Sequence, residues 1–225
     1  MDMKQFEIEL RDALQSNDDE EASKLITASL MNVVDDNGCT PLHVSASNGD
    51  IGLVRGLIKV GACVNAKDVD GHRPIHFSVF NGKIGVVRAL IKAGADLNAK
   101  DNNGATPLII SVCNRQIGVV RALIKAGADV NAAHTFARAT PMHFSVLAGE
   151  IGVMKELIEA GADLNAKDVD GHTPATLALV EGKIDIFKII QNHEVKVEKS
   201  KLQKQCQQPK RKQQKERSRL TFNEK

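Results

Sequence analysis

The pattern of apolar and polar positions in this chain repeats about every 33 residues. The string IGVVRALIKAGAD occurs at residues 84–96 and again, letter for letter, at residues 117–129. Prolines keep the same spacing: those at positions 41, 74, 107, 141 and 174 are separated by 33, 33, 34 and 33 residues. A repeat of this length indicates a stack of similar units rather than a single packed domain.

Each unit is predicted to begin with a turn and a short helix. Residues 36–38 of the first unit read Asp-Asn-Gly, and Asn-Gly pairs favour turns with positive φ. Thr40 and Pro41 follow. They suit the N-cap and the first position of a helix, where the missing N–H of proline would be unpaired in any case. The apolar helix that they start ends near Gly49.

A second helix completes each unit. In the second unit Ile84, Val87, Leu90 and Ile91 fall on one side of this helix. It ends before Gly94, because glycine readily adopts the left-handed conformation of a C-terminal cap. Two short helices cannot bury their apolar side alone, so we expect the units to stack into an all-α repeat solenoid. One sequence suits several second helices because each meets the same kind of neighbour.

These motifs resemble the ankyrin repeat family. The resemblance rests on Thr40-Pro41-Leu42-His43, on the string GADLNA at residues 94–99 and on the 33-residue period, and it covers about residues 36–193. It implies stacked helix-turn-helix units with β-hairpin-like fingers, and a concave face made by the fingers and the first helices. It also implies protein binding rather than catalysis, and a structural hydrogen-bonding role for the histidines of this motif (His43, His76 and His143).

The repeat sets the expected domain organisation. We predict a degenerate capping repeat at residues 1–35, five repeats over residues 36–193 and a basic tail at residues 194–225. The five repeats are bounded as 36–68, 69–101, 102–135, 136–168 and 169–193. End repeats of a solenoid diverge because one of their faces meets water.

Composition favours an intracellular protein. The chain has no run of 18 apolar residues, so no membrane span is expected, and its charged first ten residues are unlike a signal peptide. The four cysteines show no paired spacing, which favours reduced thiols. We expect a cytoplasmic protein, with delivery to a nucleus or a host cell left open.

Charge is divided unevenly along the chain. Residues 194–225 hold eleven Lys and Arg against four Asp and Glu, whereas the rest of the chain is mildly acidic. The composition of this tail indicates disorder, or a helix formed only on contact, and Pro209 is expected to break any continuous helix. Its basic run suits nuclear import or nucleic-acid contact, against the alternative of a solvated tail. The run contains Lys210, Arg211, Lys212, Lys215, Arg217 and Arg219.

No motif for catalysis, metal binding or a cofactor stands out. The string DVDG at residues 68–71 and 168–171 lacks the glutamate that a calcium loop needs at its twelfth position, where Val79 and Leu179 stand. No metal-ligand spacing joins the histidines within a unit. Nucleotide-binding and hydrolase motifs are missing as well. We therefore expect no enzyme, no metal and no cofactor.

Differences between the units identify candidate partner-binding residues. The family pattern places solvent-facing positions beside the turn glycine and near the end of the first helix. Read across the units, one such row is Ser47, Phe80, Cys113, Leu147 and Val180, of which the last four are apolar. An exposed apolar patch usually marks an interaction site, although these side chains could instead be covered by neighbouring helices. The other candidates are Val69, Asp70, His72, Asn81, Asn114, Phe136, Asp170, His172 and Glu181.

Three arginines depart from the repeat. Arg73 replaces the N-cap threonine, with an expected loss of about 1 kcal/mol of local stability. Arg115 stands at the position of Gly82, where positive φ would strain a residue other than glycine. Arg138 replaces a turn glycine in a finger with one inserted residue, so this finger is expected to differ in shape from its neighbours.

The sequence therefore favours a monomeric adaptor that binds a protein of unknown identity through its concave face. The alternative is a regulator directed to the nucleus or to nucleic acid by its basic tail. The near-identical repeats also resemble ankyrin proteins of intracellular bacteria, many of which act inside a host cell, which adds a host-directed effector to the alternatives.

Overall fold

The computed structural model describes the backbone of residues 33–220 and the side chains of residues 33–203. Within this range two helices form each unit, and the predicted all-α repeat solenoid is confirmed. The predicted cap at residues 1–35 lies almost wholly outside the described residues. The first helices are α1 (Pro41–Asn48), α3 (Pro74–Phe80), α5 (Pro107–Cys113), α7 (Pro141–Ala148) and α9 (Pro174–Val180). The second helices are α2 (Ile51–Lys59), α4 (Ile84–Lys92), α6 (Ile117–Lys125), α8 (Ile151–Glu159) and α10 (Ile184–Leu220).

The core runs through the whole stack because equivalent positions are buried in successive units. The second residue of the first helix is fully buried in four units, as Leu42, Ile75, Leu108 and Met142. Full burial of such a side chain stabilises the fold by about 1.5–3 kcal/mol. The seventh residue of each second helix is buried in the same way, as Leu57, Leu90, Leu123, Leu157 and Ile190. First helices pack on first helices and second helices on second helices, so each unit completes its neighbour's core.

Two sets of hydrogen bonds link successive units outside the helices. At the fingers, Val69 N–H donates to the Asn37 carbonyl (3.0 Å), and Asn102 N–H donates to the Asp70 carbonyl (2.9 Å). At the opposite loops, asparagines of the GADLNA-type strings accept the N–H of the next unit's aspartate. These bonds join Asn65 to Asp96 (2.9 Å), Asn98 to Asp129 (2.8 Å) and Asn131 to Asp163 (2.8 Å). The repeated asparagine is therefore a connector between units.

Two of the three unusual arginines have the backbone conformation that the sequence predicted. Arg115 has φ 58° and Arg138 has φ 51°, both in the left-handed region. The finger of Arg138 is one residue wider than its neighbours. Arg138 N–H bonds the carbonyl of His134, four residues back, whereas Gly71 N–H bonds the carbonyl of Asp68, three residues back.

The Arg73 side chain does not provide the hydrogen-bond acceptor of a threonine N-cap, but it has another partner. Arginine has no side-chain acceptor, so only the reverse bond of the cap remains, from Arg73 N–H to Nδ1 of His76 (3.0 Å). Arg73 Nη1 instead pairs with Asp96 Oδ2 at 3.0 Å, in the loop that follows α4. The Arg73 Nε atom is buried and has no hydrogen-bond partner. At position 73 an ion pair with Asp96, at the other end of the unit, thus takes the place of a local N-cap hydrogen bond.

The last helix is longer than the sequence suggested. The backbone of α10 runs without interruption from Ile184 to Leu220, whereas we expected disorder, or a helix formed only on contact, and a break at Pro209. The residues around Pro209 are mostly Lys, Gln, Arg and Glu, which favour helix, so the proline removes one backbone hydrogen bond without ending the helix. In the part of the chain that the structure describes, no helix has the length and apolarity to span a membrane.

Candidate functional site

The apolar row predicted from the sequence is exposed at the ends of the first helices. Phe80, Leu147 and Val180 are 67 %, 44 % and 65 % exposed, and Cys113 is exposed as well. By contrast, residues one position earlier, such as Val79 and Val146, are completely buried. The helices thus divide their apolar residues between the core and the surface, and neighbouring helices do not cover the row.

The finger residues of the prediction lie at the surface beside this row. Val69 and Phe136 are 61 % and 67 % exposed, and Asp70, Asp170 and Glu181 are exposed as well. His72 and His172 are half-buried. The tail residues of the prediction, Lys210 to Arg219, belong to the α10 backbone, and their side chains lie outside the described residues.

A small apolar cavity opens beside Phe80. Its volume is about 230 Å³, and it is lined by His72, His76, Phe77, Phe80 and Ile110. The ring of His72 meets the ring of Phe77 edge-on, with 5.8 Å between their centroids. Because the lining comes from α3, from its finger and from α5 of the next unit, the cavity exists only where two units stack.

Two carboxylates contact His72, which lines this cavity. His72 Nδ1 lies 3.3 Å from Asp68 Oδ2, and His72 Nε2 lies 3.4 Å from Asp101 Oδ2 in the next finger. Both aspartates have buried side chains, whereas Asp70 is exposed. The surface beside Phe80 is therefore apolar with an acidic border.

The two DVDGH fingers bring possible metal ligands together, which the spacing argument did not anticipate. Ligand atoms of Asp68, Asp70 and His72 lie within 4.8 Å of one another, as do the corresponding atoms of the last finger. The Asp68 carboxylate stabilises the turn, because Asp68 Oδ1 accepts the N–H groups of Asp70 (3.0 Å) and His72 (2.7 Å). We assign this carboxylate to the finger's architecture.

The histidines of the Thr-Pro-Leu-His motif have the predicted structural role. His43 Nδ1 accepts the N–H of Thr40 (3.0 Å), and its Nε2 donates to the carbonyl of His72 (3.2 Å). His143 repeats this arrangement with the carbonyl of His172 (3.0 Å), whereas His76 Nε2 donates to the carbonyl of Ala99 (3.1 Å) within its own unit. Burial lowers the pKa of both His43 and His76. The bonds of His43 and His143 therefore connect successive units.

Two predicted partner-binding asparagines also bond within the scaffold. Asn81 Nδ2 donates to Ser47 Oγ (3.0 Å), and Asn114 Nδ2 donates to the carbonyl of Phe80 (3.2 Å). In the last unit, Lys183 Nζ donates to the carbonyl of Leu147 at 2.7 Å. These bonds hold the ends of successive first helices together, so they fix the spacing of the apolar row.

The sequence analysis missed three residues of the cavity. The repeat pattern singled out neither Phe77 nor Ile110, and it gave His76 a structural role at the start of the helix. Only the contact between units gives them a common surface. The available signal was the pair Phe77 and Phe80, which places two aromatic rings one helical turn apart on the same first helix.

Comparison with known families agrees with this architecture. A family model described as ankyrin repeats, built from three copies, matches residues 10–101 and again residues 68–134. A second model, of a single ankyrin repeat, matches residues 138–169. Among curated proteins, no individual sequence matches this chain.

Proposed function

Because the chain belongs to the ankyrin repeat family, whose repeats are generally protein-interaction modules, we propose that it is an adaptor that binds a partner protein through the apolar row and the fingers. The five repeats would span residues 36–193, after a capping repeat at residues 1–35. The observation that carries the proposal is the exposure of Phe80, Leu147 and Val180 at one equivalent position. An exposed apolar surface of this kind is typical of an interaction site.

The spacing of the row suits a helical or extended segment of the partner. Packed helices lie about 8–10 Å apart, so neighbouring members of the row are separated by about the same distance. A partner helix with apolar residues at every seventh position presents them about 10.5 Å apart. An extended segment in the polyproline II conformation has three residues per turn, so every third side chain faces the same way at a spacing of about 9.3 Å.

The cavity beside Phe80 supplies the most specific contact of this surface. Its volume of about 230 Å³ suits one large apolar side chain of the partner. Asp70 on the neighbouring finger favours a basic residue next to such an anchor, and Asp170 and Glu181 favour basic residues of the partner at the last unit. Because hydrogen bonds between units hold the surface in place, binding requires little ordering of the adaptor.

The test is affinity capture from a lysate of the source cells, and from host cells where a host exists. The baits are the full chain and a variant with Phe80→Asp and Leu147→Asp. A control variant with Lys125→Gln and Gln191→Glu makes the same total charge change on second helices. Circular dichroism should show that all three are folded. Proteins captured by the parent and the control but lost by the variant support the proposal, and equal capture by all three contradicts it.

A photocrosslinking amino acid gives a second, positional test. Placed at position 80 or 147 it should couple the captured partner, whereas placed at position 125 it should not. Efficient coupling from position 125 alone would move the partner to the second helices.

The basic segment supports a second candidate function, in which the tail directs the protein to nucleic acid. Its charge excess over residues 194–225 is the observation that favours it. Phosphate contacts of this type weaken steeply with salt. Binding of the full chain to duplex DNA that depends on salt and vanishes when Lys210, Arg211 and Lys212 are changed to Gln would favour this function. A cytoplasmic monomer without catalytic activity remains our prediction.

A further inference from the structure

A groove on the second helices has a chemistry unlike that of the apolar row. It lies between α2 and α4 and has a volume of about 750 Å³, within the range of ligand sites in proteins. Four of its nine lining residues are basic, namely Arg55, Lys59, Arg88 and Lys92. None of the described residues that line it is acidic.

The four cations are brought together by the repeat. Arg55 and Lys59 stand four residues apart on α2, and Arg88 and Lys92 occupy the same two positions on α4. All four are exposed. Like charges at this spacing repel one another. Among the described residues, no carboxylate pairs with Arg55, Arg88 or Lys92. No described carboxylate therefore neutralises the charges of Arg55, Arg88 and Lys92.

The equivalent groove two units later provides a contrast. Arg121 occupies the position of Arg55 and Arg88, but its Nη2 pairs with Glu156 Oε1 of α8 at 2.7 Å. Glu159 of the same helix adds a second carboxylate near Arg121 and, with Glu156, raises its pKa. Glutamates thus surround Arg121 in that groove, whereas no described carboxylate pairs with Arg55, Arg88 or Lys92 in the first.

The shape of the groove favours a compact anion. Small residues, Gly85, Ala89 and Ala93, line it and leave space between the two helices, and Ile51 and Ile58 give it apolar walls. Arginine side chains match phosphate oxygens with paired hydrogen bonds, and phosphate concentrates charge in a small volume. An acidic peptide spreads its charges over about 3.3 Å per residue in an extended chain, which suits a longer surface.

We propose that the groove between α2 and α4 binds a ligand carrying several phosphate groups. Arg88 and Lys92 on one side, with Arg55 and Lys59 on the other, would contact the phosphates. This site goes beyond the adaptor function, because it shares no residue with the apolar row. It would allow a phosphorylated ligand to bind while a protein occupies the opposite surface.

The test uses the full chain and sodium tripolyphosphate in isothermal titration calorimetry at low salt. We expect the variant with Arg88→Gln and Lys92→Gln to bind about thirtyfold more weakly, at about fivefold for each cation removed. The control with Lys125→Gln and Lys155→Gln removes the same charge elsewhere on the second helices and should bind like the parent. Equal affinity of the groove variant and the parent, or no binding by the parent to any phosphate probe, would overturn the proposal.

Three further experiments test whether the tail binds the anion, whether the phosphate belongs to a lipid, and whether the ligand is a phosphate at all. A variant with Lys210→Gln, Arg211→Gln and Lys212→Gln should retain binding, and its complete loss there would assign the anion to the tail instead. Vesicles of phosphatidylcholine, with and without phosphatidylinositol bisphosphate, distinguish a lipid headgroup from a soluble phosphate. In either case the groove variant must lose binding. Tighter binding of polyglutamate than of both phosphate probes would show that the ligand class is wrong.

Discussion

The Cδ1 atom of Ile84 lies 3.3 Å from the point that a Cβ atom would occupy on Gly118. The same contact joins Ile51 to Gly85 at 3.4 Å and Ile117 to Gly152 at 3.2 Å. The second helices α2, α4 and α6 thus begin with an isoleucine that rests on the glycine of the next unit. This pairing explains why the string Ile-Gly recurs at the start of successive second helices.

A larger residue at Gly118 should therefore separate two units. We expect Gly118→Val to lower the free energy of unfolding by about 1–3 kcal/mol, because overpacking forces neighbouring side chains to move. Chemical denaturation with urea, followed by circular dichroism, measures the change. Adding Ile84→Ala should recover part of the loss, since it removes the side chain that the valine meets. Identical losses in the single and double variants would contradict this explanation.

The left-handed conformation of Arg115 should reduce stability. With φ at 58°, a side chain is strained by about 1–2 kcal/mol, which glycine avoids. Arg115→Gly should raise the free energy of unfolding by about 1 kcal/mol in urea titrations. Arg115→Ala is the matched control, because it removes the 3.8 Å contact with Glu150 but retains the strain. A stabilising alanine would assign the effect to the side chain's charge.

Restoring the missing cap at position 73 should stabilise α3. Arg73→Thr supplies an N-cap worth about 1 kcal/mol and removes the buried Nε atom that has no partner. Loss of the ion pair with Asp96 reduces this gain in stability only slightly, because the Asp96 side chain is 44 % exposed. Thermal unfolding measures the gain. In a double-mutant cycle, Asp96→Asn should lower the stability of the parent more than that of the Arg73→Thr variant. Equal losses in the two backgrounds would show that Arg73 and Asp96 are not coupled.

Acidification should destabilise the fold through its buried histidines. Burial holds the pKa of His43 and His76 below the ordinary 6.5, so below about pH 6.5 the unfolded chain binds more protons than the folded chain. Stability should fall as the pH drops below that value, by at most about 1.4 kcal/mol per pH unit for each histidine.

The histidine effect can be isolated by substitution. His76→Gln should lower the free energy of unfolding at pH 7.5, and the difference from the parent should shrink at pH 5.5. Val79→Ala changes a buried residue of the same helix without removing a titratable group, so its difference from the parent should not change between the two pH values. A constant difference for His76→Gln would mean that this group does not contribute to the pH dependence.

Thiol reactivity should distinguish the cysteines. Burial, with Asp35, Asp68 and Asp70 nearby, raises the pKa of the Cys39 thiol to about 11, whereas Cys63 is exposed. The thiolate is the reactive form, so iodoacetamide at pH 8 should modify Cys63 long before Cys39. Peptide mapping by mass spectrometry after timed quenching gives both rates. Unfolding in urea should equalise them, and equal rates in the folded protein would contradict the burial of Cys39.

Much of the fold was predictable because its local signals repeat. The proline and glycine spacing identified the helices, and the replacement of glycine by Arg115 and Arg138 foretold two unusual backbone conformations. Contacts between residues far apart in the sequence were not predictable in the same way. The bond of Arg73 to Asp96 and the cavity that Phe77 shares with Ile110 join residues 23 and 33 positions apart, which only the geometry of the stack brings together.

The C-terminal segment shows the opposite case. Its composition alone indicated a tail, and Pro209 indicated a break, but the strong helix preference of its neighbours extends α10 beyond both. Helix propensity acting over many residues outweighs the one unfavourable proline.

The finger hydrogen bonds have a mechanical consequence. Each finger is joined to the next by a short backbone contact, such as Val69 to Asn37, and each unit touches only its neighbours. Small rotations between successive units therefore add up along the stack. Slight bending would change the distance between Phe80 and Val180 far more than any distance within one unit. Curvature, rather than side-chain rearrangement, would then adjust the surface to partners of different length.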